Sequence, residues 1–239
     1  MPDPLEIAYQ DDRYVAIHKP AGMLVHRSDI AAKDDAPIAL QTLHAQLGTP
    51  VYPVHRIDRP TSGLLMFALD HEAMVALKRK FEACELTKTY WAIVRGHSPQ
   101  EGLIDHPLRK LNDFKGPNKH EASQEAQTAF TTLAQSELPY STGRYDSTRY
   151  SLVQLHPKTG RRHQLRRHLD HIHHPIIGDT RHGDNTLNLI LRERYDFIRL
   201  MLAATRLEFT HPFTEEAIDI QCPVATDFQK ILELTELSP

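Results

Sequence analysis

Three stretches of the chain crowd chemically able side chains together. In HRIDRPTSGLL, His55 to Leu65, one carboxylate, Asp58, stands between Arg56 and Arg59. Pro60 and Gly63 are expected to force a turn, with Thr61 and Ser62 bonding local backbone. A turn that leads into an apolar run puts Asp58 on a loop held by a rigid element, where catalytic groups often sit. The plainer alternative is an Asp that caps the turn or pairs with Arg56 or Arg59, an exposed pair contributing about 0–1 kcal/mol.

The second stretch, PKTGRRHQLRRH at Pro157–His168, holds Lys158, Arg161, Arg162, Arg166 and Arg167 and no acid. Thr159 and Gly160 turn these residues onto the start of a helix, and the exposed ones suit phosphate contacts. Arg166 lies one turn into that helix and can point inward while Arg162 and Arg167 point out. A solvated charged face is the alternative. The third stretch gathers His168, His171, His173, His174 and His182 with Asp179 and Asp184. HExxH is absent and no cysteine contributes, so the spacing argues against a metal site. Tyr90, in KTYWAIVRG, lies beside Trp91 in an expected strand. Core packing is its default reading, and an aromatic ring near a basic patch can also stack on a base.

The elements that must carry these residues are legible in outline. Leu5–Ile17 reads as two short strands around an Asp-Asp turn, and Gln41–Leu47 as a short helix. Leu64–Leu69 is a continuous apolar run of strand length, buried on both faces. Asp70 caps a helix from His71 to Cys84, with Met74, Leu77, Phe81 and Cys84 on one face. Further strands are expected at Thr89–Arg95, Thr128–Leu133, Tyr150–Leu155, Arg206–Phe209 and Ala217–Ile220. Helices are expected at His163–Ile172 and Asp227–Leu234, and residues 112–126 read as an exposed loop. Without regular βαβ alternation, the class is α+β with a mixed, largely antiparallel sheet flanked by helices and loops.

The 239 residues are 40% hydrophobic and 25% charged, as expected of a globular protein with its own core. The net charge of −3 gives no global attraction to nucleic acid, so any such contact must come from a local patch. Two cysteines outside any metal-ligand spacing suggest a reduced, cytoplasmic protein. The first residues do not read as a signal peptide, and no apolar run approaches the ~18 residues of a membrane span.

Taken together, HRIDRPTSGLL, KTYWAIVRG and PKTGRRHQLRRHL resemble the RluA family of RNA pseudouridine synthases. HKPAG, DHPL at Asp105–Leu108, HHPIIGD at His173–Asp179 and LEFTHP at Leu207–Pro212 fit the same family in the same order. The resemblance runs from about Leu5 to Pro223. VHRS at Val25–Ser28, GRYDSTRYSLV and the stretch from PKTG to RHGD are more specifically similar to the TruC branch, which modifies uridine 65 of tRNA.

The resemblance implies one pseudouridine synthase catalytic domain spanning 1–239, with no separate N-terminal RNA-binding domain. It makes Asp58 the catalytic carboxylate, Arg166 the arginine that pairs with it, and Tyr90 the ring packed on the target uracil. Arg56 would help to hold the RNA open where the base leaves. Lys158, Arg161, Arg162 and Arg167 would contact phosphates. Ile57 replaces the usual Leu, and Ala203 stands where His is common. The implied reaction breaks the N1–C1′ bond of a uridine, turns the uracil and joins C5 to C1′. No group enters or leaves and no redox change occurs, so neither cofactor nor metal is demanded. Asp58 attacks C1′, adds to the ring, or assists loss of the 2′ hydrogen through a glycal. The implied partner is tRNA, with no membrane and no obligate protein partner. Ribosomal RNA is the alternative substrate, and a non-catalytic RNA-folding module the alternative of another class.

Overall fold

The computed structural model describes residues 3–26, 37–112, 116–117, 122–142, 145–196 and 199–238. The order begins β1 (Ile7–Gln10), β2 (Tyr14–Lys19), α1 (Ala39–Leu47), β3 (Tyr52–Pro53), β4 (Ser62–Ala68), α2 (His71–Ala83) and β5 (Thr87–Arg95). It continues with β6 (Glu101–Asp105), β7 (Leu108–Arg109), β8 (Leu111–Asn112), β9 (Gly116–Pro117), β10 (Ser123–Gln124), β11 (Gln127–Leu138) and β12 (Thr148–Pro157). The last elements are α3 (Gln164–His171), α4 (Asn185–Tyr195), β13 (Leu202–Thr210), β14 (Ala217–Gln221) and α5 (Thr226–Leu234). The fold is α+β, as the sequence indicates. Its contacts define two compact units, Met1–Lys88 with Ala203–Ala225, and Thr89–Leu202 with Thr226–Pro239.

In the first unit the strands run β1-β2-β4-β13, with β14 on β13 and β3 on β4. The β4–β13 pair is parallel and the others are antiparallel, which makes the sheet mixed. The β1–β2 hairpin turns where expected, because Asp11 accepts the N–H groups of Arg13 at 2.7 Å and Tyr14 at 2.6 Å. An Asp that bonds the backbone two residues on is a ready-made turn. Every residue of β4 is buried. Its alternation sends Leu65 and Phe67, with Val15 and Ile17 of β2, against Ala39 and Leu43 of α1. On the opposite side, the buried Tyr14 hydroxyl donates to the Ala73 carbonyl of α2 at 3.0 Å.

The Asp70 cap is present, its carboxylate accepting the Ala73 N–H at 2.8 Å. The expected stripe on this helix needs one correction. Ala73 and Leu77 are its buried residues, while Cys84 is exposed and ends the helix in the left-handed conformation.

In the second unit β5, β12, β11 and β6 lie side by side in that order, all pairs antiparallel. The β11–β12 hairpin is longer at both ends than the apolar alternation suggested. Residues 112–126 are not all loop: β7 pairs β10, and β8 pairs β9. Residues 113–115 and 118–121 of that stretch, like Arg27-Ser28 of VHRS and Gly143-Arg144 of GRYDSTRYSLV, lie outside the described residues. After α3, the stretch Pro175–Ile177 runs beside β5. The Arg95 N–H donates to the Pro175 carbonyl, and the Ile177 N–H to the Ile93 carbonyl, both at 3.0 Å. Helix α4 was not foreseen. No helix among the described residues is long and apolar enough to cross a membrane.

Candidate active site

Asp58 is half-buried on the loop between β3 and β4 of the first unit. Its carbonyl accepts the Thr61 N–H at 3.0 Å and closes the turn expected around Pro60. What fixes the loop is the HKPAG segment. Lys19, fully buried, donates to the carbonyls of Pro20 at 2.8 Å, Met23 at 3.0 Å and Arg59 at 3.1 Å. Arg59 reciprocates through its Nε to the Gly22 carbonyl at 2.9 Å, and the Gly22 N–H donates to the Arg59 carbonyl at 2.9 Å. A buried ammonium is tolerable only with such acceptors around it. Lys19 was read only as part of a motif; here it binds the turn of one motif to the loop of the next. Arg56, on the same loop, is exposed.

Gly63 does not serve the turn. It lies in β4 with φ +102°, paired with Ala204 of β13. A Cβ there would lie 2.1 Å from the Ala204 carbonyl oxygen, so only glycine admits the parallel neighbour. Ala203, in place of the common His, is buried opposite Ser62 in the same ladder.

His55, which opens the motif, is a structural residue that sequence reasoning missed. Its ring stacks on Phe81, with centroids 4.4 Å apart, and its Nε2 accepts the Met66 N–H at 3.0 Å. Burial, then the Lys88 charge, push its pKa down to about 3 from 6.5. The folded chain thus refuses a proton that the unfolded chain takes up near pH 6.5. The stability gained from neutral His55 is full above that pH and is lost as pH falls from about 6.5 toward 3. We expect the thermal midpoint to fall between pH 7 and pH 5, by at most about 1.4 kcal/mol of stability per pH unit from this residue. His55→Gln, which keeps an acceptor for Met66, should flatten that dependence. Equal slopes for wild type and variant would remove His55 as its cause.

Tyr90 and the basic stretch belong to the second unit. Tyr90 is half-buried in β5, opposite Leu155 of β12. The PKTG turn is built by Gln164, another residue to which the sequence assigned no role. Its Oε1 accepts from Thr159 Oγ1 at 2.7 Å and the Arg161 N–H at 2.9 Å. Its Nε2 donates to the Gln127 carbonyl at 2.9 Å and Thr128 Oγ1 at 3.0 Å. One buried amide therefore ties the turn, the helix start and β11 together. Lys158 and Arg161 are exposed; Arg162 and Arg167 are half-buried. Arg161 donates to the Glu125 carbonyl at 3.0 Å, and Arg167 to the Arg109 carbonyl at 3.0 Å.

Arg166 points inward, as its place in the helix suggested. The structure gives it a carboxylate partner that the sequence did not suggest, Asp179. Arg166 donates from Nε at 2.6 Å to one Asp179 oxygen and from Nη2 at 2.8 Å to the other. Both side chains are buried. Burial pushes the Asp179 carboxyl up, but the Arg166 guanidinium and the N–H groups of His182 and Arg181 outweigh it and hold it below the usual range.

The histidines have structural work. His168 is fully buried, with Nδ1 against Thr128 Oγ1 at 2.9 Å and Nε2 against the His106 carbonyl at 3.0 Å. The His106 and His171 rings stack with centroids 3.7 Å apart. Among the described residues no three His, Cys, Asp or Glu side chains are grouped to hold a metal ion.

A family model described as RNA pseudouridylate synthase matches residues 13–171. Over 236 residues the chain is 47% identical to the tRNA pseudouridine synthase C of Vibrio vulnificus (strain CMCP6), covering 97% of this chain and 96% of that one. It is 50% identical over 220 residues to the protein of the same name from Pasteurella multocida (strain Pm70), covering 90% of each. Among solved structures, the chain is similar to human RNA pseudouridylate synthase domain containing 4. There the TM-score is 0.73 and the identity 27%, over 98% of this chain and 94% of that one. The match spans the Asp58 loop, β5 with Tyr90 and helix α3 with Arg166, and the chain belongs to the RNA pseudouridylate synthase family.

Proposed function

We propose that this chain converts a uridine of tRNA, at position 65, to pseudouridine, and that Asp58, Tyr90 and Arg166 carry the reaction. In this reading both units belong to one catalytic domain. What supports it most is the near full-length identity to proteins named tRNA pseudouridine synthase C, with every motif of the resemblance in order.

The chemistry asks for a carboxylate, a partner that keeps it ionised, and a surface for the flipped base. The uridine is unstacked at a cost of a few kcal/mol. Contacts of Arg56, Lys158, Arg161, Arg162 and Arg167 with phosphates, and stacking on Tyr90, offset that cost. Covering a carboxylate with a base disfavours its charged form, and a guanidinium partner favours it. That is the part this reading gives to Arg166. The N1–C1′ bond breaks, the base turns, and C5 bonds to C1′. C5 then gives up its proton, and N1, which carried none while bonded to C1′, takes one up, so atoms balance without any external reagent. Tyr90 is placed in this scheme as the relay for that proton.

Mapping pseudouridines in total RNA from cells with and without the gene tests the substrate. One lost site, at uridine 65 of tRNA, is the expected result. Loss of a ribosomal RNA site with tRNA unchanged would overturn the tRNA assignment.

A further inference from the structure

Asp179 sits at the centre of a stiff, buried bracket in the second unit. Its carboxylate holds Arg166 at two points and also accepts the N–H groups of Arg181 and His182, each at 2.9 Å. Its carbonyl accepts from the Asn188 side chain of α4 at 2.9 Å, and that amide's oxygen accepts the Gly178 N–H at 2.7 Å. The stretch 178–183 packs closely at its two glycines. A Cβ on Gly178 would lie 1.8 Å from the Arg199 carbonyl oxygen, and one on Gly183 2.1 Å from that of Asp179. A second tie joins this stretch to the start of α3, where His163 Nδ1 and His182 Nε2 are 2.9 Å apart.

A long arginine side chain has many rotamers. A bidentate carboxylate fixes both the position and the plane of its guanidinium. A guanidinium has five N–H donors, so two given to Asp179 do not exhaust it. We propose that Asp179 is the positioning residue of Arg166, and that Asn188 sets Asp179 through the main chain of 178–179. Helix α4 then governs the reaction rate while contributing no group to the chemistry. This inference rests on the role proposed for Arg166.

The test measures the single-turnover rate of pseudouridine formation on a tRNA transcript, and the Kd for the same transcript, per folded molecule. Misplacing a catalytic group by ~1 Å can cost about 100-fold in rate. Asp179→Asn is expected to slow the rate by about that factor with Kd changed less than about threefold. Added to Arg166→Gln it should slow the rate no further, since residues acting as a unit are not additive. Asn188→Ala, which spares the buried charge pair, is expected to slow the rate about 3- to 10-fold with Kd unchanged; this variant decides the matter if Asp179→Asn does not fold. A wild-type rate per folded molecule in Asp179→Asn, or in Asn188→Ala where that variant decides, overturns the inference while Arg166→Gln remains slow. A wild-type rate in Arg166→Gln instead overturns the role of Arg166 itself.

Discussion

Asp58→Asn is expected to abolish pseudouridine formation, by at least about 10⁴-fold, while tRNA binding stays within about twofold of wild type. The substitution keeps the size of the side chain, removes its charge and exchanges one acceptor oxygen for an amide donor. The loop should keep its shape, because the bonds that hold it are the Asp58 carbonyl to Thr61, the three Lys19 contacts and the Arg59–Gly22 exchange. Binding should persist, because phosphate attraction is assigned to Arg56 and the basic stretch. Each of the three routes open to the carboxylate fails with a neutral amide: attack on C1′, addition to the ring, and removal of the 2′ hydrogen. The measurement is product per turnover by mass spectrometry of digested tRNA, beside a filter-binding titration. Wild-type product from Asp58→Asn would end its catalytic assignment. Loss of binding in proportion to loss of product would make Asp58 a binding group, and would favour a non-catalytic RNA module.

The same contrast between side chain and scaffold explains what the sequence revealed. Local chemistry was legible. Asp11 and Asp70 bond backbone within three residues, so the hairpin and the cap of α2 follow from their types and positions. The apolar run of β4 and the inward turn of Arg166 were legible from periodicity. Contacts between distant stretches were not. Lys19 meets Arg59 across 40 residues, and Gln164 meets Gln127 across 37. Nothing in either local pattern marks them, because a buried Lys or Gln looks in sequence like any surface polar residue. Helix α4 escaped because Leu187 and Leu191 are its buried residues while Leu189 is exposed, which blurs the stripe. The histidines show the converse, side chains close in sequence whose partners are remote: the two ring nitrogens of His168 face Thr128 and the His106 carbonyl. Asp179 was visible in HHPIIGD, yet its partner lies 13 residues earlier on another element.

Gly63 separates the two demands that meet in one motif, chemistry at Asp58 and close packing five residues later. Gly63→Ala is expected to break the first unit. The new methyl would lie 2.1 Å from the Ala204 oxygen and 2.7 Å from its nitrogen, and both are backbone atoms of a paired strand. Neither can swing aside as a long side chain would. The φ of +102° adds strain of its own, of the order of 1–2 kcal/mol for a residue with a Cβ. Gly22→Ala is the natural control. Its φ is +85°, but among the described residues, its chain neighbours aside, nothing lies within 4 Å of the position a Cβ would take. It should lose only the strain, about 1–2 kcal/mol, or roughly 2–8 °C in Tm for a chain of this size. Gly63→Ala should lose at least about 4 kcal/mol, a large share of the ~5–15 kcal/mol that holds a domain folded. The result would be a Tm lowered by more than about 8 °C, or protein recovered only in the insoluble fraction. Differential scanning fluorimetry of the two variants side by side decides it. Equal losses would mean that Gly63 is there for its backbone angle alone, and that the approach of β13 to β4 sets no limit on the residue at this position.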